Sequence, residues 1–163
     1  MLNLHRGSNF MPLNPTSSIE RLQTLTSHLP KMASKDPITC HVLDTTTGRP
    51  AAGIIAILSC RSKPQNAYVA TTNSDGRITN WELESPGEPS IQTLIKEEAE
   101  KEGNSIVAKG SSMWKLTFNT GAYYGAGKTF FPLVDLSFLV KEGEHFHVPL
   151  LLGPYSYTTY RGS

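Results

Sequence analysis

From Pro37 onward, apolar and polar positions alternate with period two in short runs separated by turn-forming residues. Ile38-Thr39-Cys40-His41-Val42-Leu43-Asp44 is the first such run, closed by Thr45-Thr46-Thr47-Gly48-Arg49-Pro50. Gly53 to Arg61 and Asn66 to Thr72 follow, and Asn73-Ser74-Asp75-Gly76 is a tight-turn signal before Arg77 to Trp81. Ser85 to Ser90, rich in Pro and Gly, breaks the pattern. Ser90 is placed to cap a helix with Ile91, Leu94, Ile95 and Ala99 on one face, ending near Gly103. Strands resume at Ser112 to Phe118, Leu133 to Val140, His145 to Leu152 and Tyr155 to Tyr160, with a short helix or turn at Gly121 to Gly127. Many short strands between turn signals predict an all-β sandwich, with one inserted helix.

Residues 1 to 36 lack this pattern and are rich in Ser, Thr, Asn and Pro, so a flexible extension is expected there. The domain is expected over 37–163, with an insertion at about 84–111. Within the extension, Arg21-Leu22, five variable residues and His28-Leu29 resemble the type 2 peroxisomal targeting signal. On a helix, Leu22, Leu25 and Leu29 line one face, as a groove-binding address requires. The resemblance implies a peroxisomal import receptor as partner and a peroxisomal location; otherwise the run is an incidental amphipathic turn and the location cytoplasmic. No continuous apolar segment of a secretory signal follows the first residues.

Composition narrows the partners. A formal net charge of +1 gives no electrostatic reason to expect nucleic acid or an anionic membrane. The richest apolar run, Ile54 to Leu58, is strand-sized, far below a membrane span. Cys40 and Cys60 form no CxxC pair and no zinc-finger spacing, and read as reduced, partly buried thiols, with a disulfide between them as the alternative.

Three segments together carry a resemblance. They are Ile38 to Asp44 with Gly48-Arg49-Pro50-Ala51; Thr72-Asn73-Ser74-Asp75-Gly76-Arg77; and His145-Phe146-His147-Val148-Pro149 through Tyr160-Arg161-Gly162-Ser163. Phe118 to Tyr124 and Phe130-Phe131-Pro132 add to it. The chain resembles the 5-hydroxyisourate hydrolases of the transthyretin-like family, and Tyr-Arg-Gly-Ser as its last four residues separates it from the hormone-carrying transthyretins. The resemblance implies a sandwich of two four-stranded sheets with a short helix, a homotetramer, and active sites in a channel between paired dimers. It implies hydrolysis of a purine-derived substrate, 5-hydroxyisourate, to 2-oxo-4-hydroxy-4-carboxy-5-ureidoimidazoline, with no cofactor and no metal. The family's active-site groups fall on His41, Arg77, His147 and Ser163, with Tyr160, Arg161 and Gly162 completing the substrate rim. The departures are Gly153, where the family often has Ser, the longer connection at about 84–111, and the N-terminal extension.

These residue types suit the reaction. Opening a lactam-type bond requires an activated water, stabilisation of charge on the attacked carbonyl, and a proton for the leaving nitrogen. Histidine exchanges protons near neutrality, and arginine offers a permanently cationic fork. In strand geometry His41 shares a face with Leu43, and His147 with Pro149 and Leu151; if those faces line one channel, both imidazoles can converge on rigid elements. Either histidine could serve as base. Singly, each residue has a plainer reading: a strand histidine is more often structural, and an arginine after Asp-Gly is usually solvated. His145 and His147 could ligate a metal, but no third ligand has suitable spacing. Ser163 lacks the GxSxG turn of a covalent nucleophile. A transthyretin-like carrier without catalysis is the alternative, and a subunit of a urate-degrading assembly a third reading.

Overall fold

The computed structural model describes residues 35–162. The Arg21–Leu29 motif and Ser163 lie outside the described residues. Among the described residues ten strands and two helices follow one another: β1 (Ile38–Asp44), β2 (Arg49–Pro50), β3 (Ile55–Cys60), β4 (Lys63–Thr71), β5 (Arg77–Ile78), β6 (Glu82–Leu83), α1 (Ile91–Ala99), β7 (Ser111–Phe118), α2 (Thr120–Tyr124), β8 (Val134–Lys141), β9 (Phe146–Gly153) and β10 (Ser156–Thr159).

They form two sheets. One runs β10-β9-β1-β2 with β5 also paired to β1; the other runs β6-β4-β3-β7-β8. Each sheet therefore has five strands where the resemblance implies four. Three of the ten are two-residue segments: β2 at the end of the Thr45–Pro50 turn, β5 at the start of Arg77–Trp81, and β6 just after it. Trp81 leaves the ladder because its indole N–H donates to the Ile38 carbonyl at 2.8 Å, while Asp36 accepts from its backbone N–H.

Alternation sets which face each residue occupies. Ile38, Cys40, Val42 and Asp44 of β1 are buried between the sheets, as are Phe146, Val148, Leu150 and Leu152 of β9. From the second sheet Ala56, Leu58, Tyr68, Trp114, Leu116 and Phe118 fill the other half of the core. The parallel β1–β9 pair aligns Ile38 with Phe146 and continues without a break to Asp44 with Leu152. Every odd residue of both strands consequently points to the outer face.

Helix α1 starts as expected, with the Ser90 hydroxyl accepting from the Thr93 N–H at 3.1 Å. It buries Ile91, Leu94, Ile95 and Ala99 and packs against β7 and β8. It ends at Ala99, four residues before Gly103. There Lys101 N–H turns back to the Glu98 carbonyl and the Ala99 carbonyl accepts from Gly110 N–H, which ends the helical ladder, and the Asn104 side chain then accepts from the Ile106 and Val107 N–H groups.

Candidate active site

The outer face of the β5-β1-β9 sheet carries the candidate chemistry. The register pairs His41 with Arg77 across β1–β5, Thr39 with His147 across β1–β9, and His147 with Gly162 through an isolated bridge. A cavity of about 460 Å³ opens over them, lined by Thr39, His41, Arg77, His145, His147, Tyr160 and Gly162, among others.

Arg77 is placed by the turn before it. Asn73 Oδ1 accepts from the N–H groups of both Asp75 and Arg77, and the Gly76 carbonyl accepts from Val42 N–H. Gly76 has φ of 69°, and a Cβ there would stand 2.4 Å from the Val42 carbonyl oxygen. Only glycine lets the turn lie this close to β1.

The two imidazoles are held differently. His41 is hydrogen-bonded to the Asp75 backbone, while its Nε2 is buried with no partner. A ring donating to a carbonyl through one nitrogen keeps a lone pair on the other. Burial, and then the neighbouring Arg77 charge, hold the His41 pKa below its ordinary 6.5. For His147 burial again leads, followed by Arg77, His41, His145 and Lys35, and its pKa is likewise lowered. Both rings are thus neutral at pH 7. The Thr39 hydroxyl lies 2.9 Å from His147 Nδ1 and 3.2 Å from His145 Nε2.

Among the described residues no Asp or Glu side chain lines the cavity, whereas Lys35 and Arg77 do. Such a wall favours an anion or an electron-rich carbonyl. Among the described residues no group of three or more His, Cys, Asp or Glu side chains could hold a metal ion.

Of the residues expected from sequence, His41, Arg77, His147, Tyr160 and Gly162 are brought together. Gly162 donates its N–H to the His147 carbonyl at 2.9 Å and lies against that ring. Arg161, expected in the substrate rim, is not brought to this cavity. Neighbouring residues of an extended segment face opposite ways, so its guanidinium turns from the site, pairs with Glu144 at 3.0 Å and sits 5.1 Å from the Phe146 ring centroid. Thr39, His145 and Lys35 line the cavity without having been singled out as site residues. The signal for Thr39 was available: it precedes His41 by two and so shares its face.

A β-sandwich with this cavity on the outer face of one sheet defines the class, and the chain belongs to the HIUase/Transthyretin family, whose sequence model matches residues 38–162. Among its relatives, the 5-hydroxyisourate hydrolase of Mus musculus is 38% identical over 134 residues, covering 78% of this chain and 95% of the relative. That of Deinococcus radiodurans is 36% identical over 141 residues, covering 81% of this chain and all of the relative. The solved 5-hydroxyisourate hydrolase of Klebsiella pneumoniae is 28% identical with a TM-score of 0.51, over 77% of this chain and 98% of that one. Sea bream transthyretin in complex with thyroxine, at 22% identity and a TM-score of 0.56, shares the fold over 77% of this chain and 94% of that one.

Proposed function

We infer that this chain is a 5-hydroxyisourate hydrolase of urate degradation, working by water attack assisted by His and Arg. The observation that carries the mechanism is the convergence of His41, Arg77 and His147 on one cavity over the outer face of β5, β1 and β9. His41, neutral because its pKa is lowered, accepts a proton from the attacking water. Arg77 stabilises negative charge developing on the attacked carbonyl oxygen. His147 supplies the proton that the leaving ring nitrogen needs when the C–N bond breaks. Tyr160 and Gly162 bound the site, and Ser163 follows directly, where its hydroxyl would position water or substrate.

The test is spectroscopic: purified protein is mixed with freshly generated 5-hydroxyisourate and the loss of its absorbance followed. His41→Ala and Arg77→Glu should each abolish acceleration while circular dichroism remains unchanged. Wild-type turnover in both variants would remove these residues from the mechanism.

Two further readings accompany this one. A homotetramer is supported by family membership and by β8 and β10, which stand at sheet edges with the half-exposed Leu139 and Tyr157 on them. Peroxisomal import is supported by Arg21-Leu22 and His28-Leu29. Light scattering tests the first. Fluorescence microscopy of the tagged full chain, with Arg21→Ala and His28→Ala expected to release it into the cytoplasm, tests the second.

A further inference from the structure

The Thr39 hydroxyl joins two histidines and has only one proton to give. Its nearer partner is His147 Nδ1 at 2.9 Å, then His145 Nε2 at 3.2 Å. The Phe146 carbonyl, at 3.5 Å, is at the limit of hydrogen bonding and competes poorly for that proton. Thr39 is buried, whereas His145 is exposed to solvent.

We propose that His145 and Thr39 form a proton relay from solvent to His147, in which Thr39 donates to Nδ1 of His147 and thereby fixes that ring with its proton on Nε2. The two residues are positioning groups that act through His147, and the inference rests on the hydrolase reading above. It also separates the roles of the two site histidines. His147 accepts at Nδ1 and presents an N–H, which leaves His41 as the base.

The proton balance closes. As the C–N bond breaks, His147 Nε2–H passes to the leaving nitrogen. The Thr39 hydroxyl proton moves to His147 Nδ1, the Nε2 proton of His145 moves to Thr39, and His145 Nδ1 takes a proton from solvent. The proton that His41 accepted from the attacking water returns to solvent, so no co-reactant is needed. After product leaves, His147 regains a proton at Nε2 from water and the relay reverses.

The charged groups around the relay come from several elements. Arg77 and His41 face His147 from β5 and β1, and Lys35 approaches from the segment before β1. His145 also borders a second cavity with Lys35, Lys96 of α1, and Glu142 and Glu144 of the β8–β9 turn. Because α1 belongs to the inserted segment, this chain's own insertion shapes the surroundings of the relay's outer end.

The test uses full-length protein labelled with ¹⁵N-histidine, read first without substrate. In the wild type, His147 Nδ1 should have the nitrogen shift of an unprotonated acceptor and Nε2 that of an N–H. Thr39→Val should give a mixture of tautomers, while Thr39→Ser should restore the single form. His145→Gln, whose amide can still donate to Thr39, should keep the His147 tautomer. In turnover of 5-hydroxyisourate, Thr39→Val and His145→Gln should each lower kcat on the order of tenfold, a fraction of what general acid catalysis contributes. KM should stay within about twofold, and added imidazole should restore His145→Gln. A wild-type His147 protonated on Nδ1, or a Thr39→Val enzyme with unchanged kcat, would overturn the relay. If the wild-type chain does not turn over this substrate, the functional reading fails by itself, and the nitrogen shifts still judge the relay.

Discussion

Gly162 touches His147 so closely that adding one methyl group there tests the whole site. A Cβ at this position would stand 2.7 Å from His147 Cδ2 and 3.2 Å from its Cβ and Cγ. Carbon atoms settle at about 3.5–4.0 Å, so about 1 Å of movement is required. The contact runs along the root of the ring, where no flexible tip can swing aside. Either the imidazole shifts, stretching its 2.9 Å bond to Thr39, or Gly162 withdraws and loses its bond to the His147 carbonyl. A displacement of about 1 Å costs on the order of 10²-fold in rate when groups must be held in reacting geometry. Gly162→Ala should therefore lower kcat/KM by about 10²-fold, close to 2.7 kcal/mol of transition-state stabilisation. The fold should barely notice, because Gly162 meets the sheet through one isolated bridge and contributes nothing to the core. Its Tm should stay within about 2 °C of wild type, as for surface substitutions of about 0.5 kcal/mol or less. Stopped-flow absorbance on fresh substrate, with differential scanning calorimetry beside it, measures both. An alanine variant with wild-type kcat/KM would refute the claim that the His147 position governs the reaction.

Other expectations concern charge and capping. Both site histidines have pKa values below 6.5, so kcat/KM should fall as pH drops below that value and the rings become charged; a pH–rate profile checks this. Replacing Arg77 with Gln removes a neighbouring cation and should raise both pKa values, read by histidine proton titration in NMR. The same depressed values mean that these histidines' contribution to stability is present above pH 6.5 and is lost as pH falls toward the folded-state values. Burial raises the Asp44 pKa, but bonds from Thr46, Tyr123 and Thr47 outweigh it and leave the pKa below 3.8, so its contribution is present above that value and lost on further acidification. Asp44→Asn should cost about 1–3 kcal/mol in urea unfolding at pH 7, since it weakens bonds from Thr46 and the Tyr123 hydroxyl. Ser90→Ala removes the cap of α1 and should cost about 1 kcal/mol by the same measurement.

How far the sequence revealed these features depended on the kind of interaction. Alternation in Ile38–Asp44 and in the residues after His145 placed both strands and their outward faces, because burial of one face imposes period two. The Asn73–Gly76 turn and the Ser90 cap were legible because each depends on side chains acting within a few residues. Pairings between distant segments were not legible from pattern alone. That β1 runs parallel to β9, placing Thr39 opposite His147, is a product of topology across more than a hundred residues, which no local pattern encodes. Arg161 shows the opposite failure: membership of a motif suggested a shared direction, whereas extended backbone turns it away from its neighbours Tyr160 and Gly162. The helix end near Gly103 was misplaced because Lys101 N–H turns back to the Glu98 carbonyl and the Ala99 carbonyl accepts from the distant Gly110 N–H.

The core itself enforces the geometry of the site. If β9 slipped by one residue against β1, His147 would enter the interior, and Phe146 and Val148 would face the cavity. Phe146, Val148, Leu150 and Leu152 would all leave the core, each forfeiting about 1.5–3 kcal/mol of burial, while an imidazole would be desolvated in their place. That sum rivals the whole stability of an ordinary domain. The position of His147 relative to Thr39 and His41 is therefore fixed by side chains on the opposite face of the same strands. Residues on the outer face can accordingly be chosen for reactivity: a neutral imidazole with an unpartnered nitrogen, or a cation beside it, is tolerated there because folding does not depend on it. Exchanging outward residues such as His41 or Arg77 should therefore change the chemistry of the cavity and leave the core intact.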